Sequence, residues 1–106
     1  MSMQKLNLKE NTTGIKDKVL LEMIELAQKY NLQKLVLFGS RARGDYRERS
    51  DIDLAIYGGN YARFSIDTDE TTSTLLRFDF VNMDGHVQPE LKEAILEEGI
   101  IIYEKV

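Results

Sequence analysis

Leu35-Val36-Leu37-Phe38 is an unbroken apolar run that stops at Gly39-Ser40, and a second run, Asp51 to Tyr57, alternates with a period of two. Together they commit the chain to a sheet. The first has the pattern of a buried strand. In the second, Ile52, Leu54 and Ile56 share one face, while Asp51 and Asp53 share the other, about 7 Å apart by ordinary strand rise. A strand ending in Gly-Ser exposes backbone N–H groups, and its small residues let an anionic phosphate approach the main chain. A helical turn beginning at Ser40 adds its positive dipole end and a hydroxyl donor.

A chain of 106 residues is one domain of modest size, with room for one core and none for a second substrate domain. No apolar run approaches membrane-spanning length and the N-terminus has no hydrophobic signal core, so a cytoplasmic location is expected. With no cysteine and a single histidine, His86, any metal must be held by oxygen. A net charge of −4 argues against direct nucleic-acid binding, although a local basic cluster can still serve a phosphate.

Residues 1–14 read as a polar lead-in, followed by a single domain over 15–106. Between Ile15 and Tyr30, Val19, Met23, Leu26, Ala27 and Tyr30 recur at helical spacing, which predicts an amphipathic helix on the sheet. After Gly39-Ser40 the connection is charged and broken by Gly44. The stretch from Gly59 to Thr74 favours neither a strong helix nor a clean strand, and a short, poor crossover helix is expected there. Leu75 to Met83 reads as a strand with Leu76, Phe78 and Phe80 on one face and Asp79 on the other. Pro89 opens a helix that Gly99 ends in the C-cap place, and Ile100 to Tyr103 forms a last strand. The expected class is α+β, a mixed sheet of about four strands with helices packed mainly on one side.

An acid between Phe78 and Phe80 costs a few kcal/mol, of order, unless something pairs with it. Convergence of Asp51, Asp53 and Asp79 supplies a reason for Asp79, because Mg²⁺ relieves the repulsion among them and usually keeps substrate phosphates as further ligands. Two such ions about 4 Å apart clamp an in-line displacement at phosphorus. Asp79 could then orient or deprotonate an attacking hydroxyl, with Gly39-Ser40 on the β and γ phosphates of the leaving group.

The string GSRARGDYRERSDIDL closely resembles the signature of the DNA polymerase β-like nucleotidyltransferase superfamily, and within it the minimal nucleotidyltransferase (MNT, MntA-like) branch. The match extends to Asp79 and to the tail from Glu98 to Tyr103. The resemblance implies the nucleotidyltransferase fold and transfer of a nucleoside monophosphate, AMP from ATP, to a hydroxyl with release of pyrophosphate. It implies that Gly39 and Ser40 contact the triphosphate, that Asp51 and Asp53 bind metal and that Asp79 completes a catalytic, metal-binding triad. Arg41 and Arg43 match basic positions that offer phosphate contacts, and Ser50 joins the nucleotide-binding set. Proteins resembling this branch are typically paired with a small helical HEPN toxin, whose tyrosine the MNT antitoxin can AMPylate.

Beside this enzymatic reading stand two others: an antitoxin that neutralises a HEPN partner by contact alone, and a small-molecule, aminoglycoside-like nucleotidyltransferase completed by a partner subunit. Arg47 and Arg49 read as a solvated loop, and the five tyrosines as amphipathic core edges.

Overall fold

The computed structural model describes residues 3–106. Its five strands are β1 (Gln4–Lys5), β2 (Lys34–Phe38), β3 (Ile52–Tyr57), β4 (Phe78–Asn82) and β5 (Ile100–Glu104). They form one mixed sheet in the order β1-β5-β2-β3-β4. The helices are α1 (Asp17–Lys29), the single turn α2 (Ser40–Arg43), α3 (Tyr61–Thr71) and α4 (Pro89–Glu98).

After Lys34, β2 is apolar from Leu35 to Phe38 because both its faces are covered there. Leu35 and Leu37 join Val19, Leu20, Met23 and Ala27 of α1 and Phe64 of α3 in the larger core. Val36 and Phe38 point the other way, onto Ile95 and Leu91 of α4. The alternation in β3 sorts as expected, with Ile52, Leu54 and Ile56 in the larger core and Ala55 on the α4 face. Two helices on one face and one on the other agree with helices mainly on one side.

The pairings place the acids. β2 and β3 run antiparallel with Phe38 opposite Asp53, and β3 and β4 run parallel with Asp53 opposite Asp79. A parallel pair needs a crossover, and α3 supplies it.

Several expectations need correction. The fifth strand comes from the supposed lead-in: Gln4 and Lys5 pair in parallel with Ile100 and Ile101, and Thr13 is buried. The crossover is a helix of 11 residues, capped where the Asn60 side chain accepts from the Arg63 N–H at 3.2 Å. Gly99 does stand at the C-cap of α4, as expected, but with φ −64° and not in a left-handed conformation. A Cβ there would lie 2.5 Å from the Ile95 carbonyl oxygen and 2.7 Å from Val36 Cγ1, so glycine is required for close seating of the helix end on the sheet.

Candidate active site

Gly39 leaves β2 at φ +77°, and a Cβ on it would run into the Asp53 carboxylate. Both facts demand glycine. The turn brings the main chain against the first acid and starts α2, whose Ala42 and Arg43 N–H groups donate to the Gly39 carbonyl at 3.1 and 3.0 Å. Ser40, half-buried, is the first residue of that turn.

Asp53 is half-buried between Phe38 on one neighbouring strand and Asp79 on the other. Its carboxyl is pushed up to about 6, first by burial and then by the charges of Asp79 and Asp51, with Arg43 opposing. The burial cost anticipated for Asp79 thus falls on Asp53. Asp79 is exposed, and so is Asp51, one residue ahead of β3. Among the described residues no three acidic, histidine or cysteine side chains close on a common point. Asp51 and Asp79 nonetheless flank Asp53 closely enough to raise it, and exposed side chains can change rotamer. All-oxygen donors with mutual repulsion fit a hard divalent cation, which would relieve the strain on Asp53.

The basic residues divide. Arg43 is exposed and reaches Glu98, with Nη1 3.1 and 3.2 Å from the two carboxylate oxygens, and Asp45, with Nε at 3.3 Å. Arg41, expected on phosphate, is only 2% exposed and its donors are spent on backbone carbonyls: Ser50 (3.0 Å), Thr13 (3.1 Å) and Glu48 (3.1 Å). Its guanidinium also lies 4.9 Å over the Tyr46 ring. Arg41 therefore staples the loop before β3 to the N-terminal segment. Ser50 is likewise engaged in shaping that loop, its hydroxyl accepting from the Arg47 N–H at 2.8 Å.

Sequence reasoning gave no role to Glu98. Its Oε1 accepts from the Gly39 N–H at 2.9 Å, across 59 residues. It is one of several acids on α4, and only the fold that brings the end of α4 to Gly39 singles it out.

Residues 21–106 match the family described as Polymerase beta, Nucleotidyltransferase. Two proteins of Methanocaldococcus jannaschii are similar to the chain. "Putative protein adenylyltransferase MJ0604" is 37% identical over 90 residues, 74% of this chain and 87% of that protein. "Putative protein adenylyltransferase MJ1379" is 32% identical over 83 residues, 73% of this chain and 83% of that protein. The fold is shared with the crystal structure of a toxin-antitoxin with AMP-PNP, at a TM-score of 0.67 and 19% identity over 81% of this chain and 73% of that one. A mutant of the toxin-antitoxin MntA-HpeT gives a TM-score of 0.66 at 17% identity, with the same coverage. The resemblance carried by GSRARGDYRERSDIDL is borne out: the chain belongs to the polymerase β nucleotidyltransferase family.

Proposed function

We propose that this nucleotidyltransferase moves AMP from ATP to a hydroxyl of a partner protein, and that the partner is a HEPN-type toxin modified on a tyrosine. The observation that carries the reading is the register that sets Phe38, Asp53 and Asp79 side by side across three strands, so that the Gly39 turn after Phe38 lies against Asp53, a phosphate-sized turn against paired acids. The names of the Methanocaldococcus relatives support a protein acceptor, and the fold shared with toxin-antitoxin structures supports a toxin as that acceptor. Asp79 stands exposed on the edge strand β4, where a bulky acceptor has access.

In this reading the Gly39 N–H, Ser40 and Arg43 hold the triphosphate. Asp51, Asp53 and Asp79 would hold Mg²⁺, which neutralises charge growing on the phosphates. The acceptor oxygen forms a bond to the α-phosphorus, the bond from that phosphorus to the bridging oxygen breaks, and pyrophosphate departs with the bonding pair. The hydroxyl proton passes to the Asp79 carboxylate. Arg41 holds the loop that presents Asp51 and touches no phosphate.

Thermal melting with Mg²⁺ and each of the four common nucleoside triphosphates tests the pocket. ATP should stabilise the chain by about 2.7 kcal/mol when present at 100 times its Kd, and omission of Mg²⁺ should abolish the shift. No shift with any nucleotide would overturn the reading.

A further inference from the structure

Glu98 is the last residue of α4, where a carboxylate faces the negative end of the helix dipole. Its charge also adds to those acting against ionised Asp53. Neither setting favours an anion. What holds it is a donor set: the Gly39 N–H at 2.9 Å and Arg43 Nη1 at 3.1 and 3.2 Å from its two oxygens. A turn N–H beside a guanidinium is the set a phosphate takes. The backbone under Glu98 cannot slide away, since Gly99 is seated against Ile95, Val36 and Met3 so tightly that a Cβ would lie 2.8 Å or less from an atom of each. The side chain, however, keeps 20% of its surface open to solvent, so it can leave by rotation alone.

We propose that Glu98 is an intramolecular competitor for the phosphate cradle: a triphosphate binds by taking over the Gly39 N–H and Arg43, and Glu98 turns out to solvent. The inference rests on the triphosphate reading of the pocket and adds to it a residue that sets donor affinity. The free chain is thereby held in a state of low affinity, and binding pays the cost of displacing the carboxylate. After pyrophosphate leaves, Glu98 returns to the same donors and disfavours rebinding of the product.

The test is titration calorimetry of ATP with Mg²⁺ into the full chain, as wild type, Glu98→Gln, Glu98→Ala and Glu97→Gln. Glu97 is exposed one residue away and controls for loss of a unit charge. Both Glu98 variants should bind about 10-fold tighter than wild type, and Glu97→Gln should stay within about twofold. Unchanged or weaker binding by the Glu98 variants, or equal tightening by Glu97→Gln, overturns the competitor role while leaving the nucleotide site standing. No binding by any of the four overturns the nucleotide reading and the competitor role with it. A second measurement needs no variant: the ¹³C shift of the Glu98 carboxyl carbon in the unaltered chain should move on ATP binding, and an unmoved signal at saturation overturns the proposal.

Discussion

Asp53 holds the tension of the site. Folding half-buries its carboxyl beside two other acids and raises it from 3.8 to about 6, so the folded state favours the neutral acid. The sign follows: stability from the protonated form is fully present below about 4 and is lost as pH rises through about 6. Asp53→Asn cannot ionise. Without divalent cations it should melt above wild type at neutral pH by about 4–8 °C, which corresponds to about 1 kcal/mol once solvent screening is allowed for. That gap should open between pH 4 and 6 and then stay level, and a scan of Tm against pH checks it. A variant that gains stability while losing pyrophosphate release is the mark of a strained functional acid. Arg41 behaves oppositely. Its buried guanidinium is satisfied only in place, so Arg41→Ala should cost about 3 kcal/mol in urea unfolding by freeing several carbonyls at once. Gly39→Ala forces a side chain into φ +77° and onto Asp53, and should abolish nucleotide binding even where the fold survives.

What could be read in advance differs between elements. β2 was legible as an unbroken apolar run stopped by Gly39-Ser40 and β3 by its period of two, and the acids came with it, Asp53 on the strand and Asp51 just ahead of it. α4 was legible from Pro89 and Gly99, though Gly99 acts by close seating and the sequence alone cannot tell that from a left-handed cap. α3 was obscured by its hydroxyls. Ser65, Thr71 and Thr72 bond the carbonyls four residues back, at 2.8, 2.7 and 2.7 Å, so their competition with the backbone is spent inside the helix. Its anchor is non-local: Phe64 is fully buried and meets Phe80 edge-on at 6.4 Å. Asn60→Ala should cost about 1 kcal/mol by removing the cap on the Arg63 N–H, readable as a lower urea midpoint with unchanged slope. β1 was hidden because two residues carry no period; only pairing with β5 makes them a strand.

The molecule as assembled puts its chemistry at one end of the sheet, where β2 stops, β3 and β4 begin and α4 ends. The acids and the Gly-Ser turn were legible as types in a pattern, while Arg41, Ser50 and Glu98 took their roles from contacts that span the fold. Arg41 and Arg43, two residues apart on one turn, went to opposite duties: burial beneath a loop and an exposed place beside Gly39. Such a division depends on which side of α2 meets Thr13 and which meets Glu98. On the edge strand β4 Asp79 is exposed, which leaves room for the proposed acceptor hydroxyl to arrive on another chain. The most direct measurement is pyrophosphate release from ATP and Mg²⁺ by the chain co-purified with a helical HEPN partner, as wild type and as Asp53→Asn, with the partner weighed by mass spectrometry. The prediction is release from wild type alone, with one or more AMP groups added to a tyrosine of the partner. Equal release from Asp53→Asn, or a stable complex that neither releases pyrophosphate nor gains mass with any nucleoside triphosphate, would contradict it.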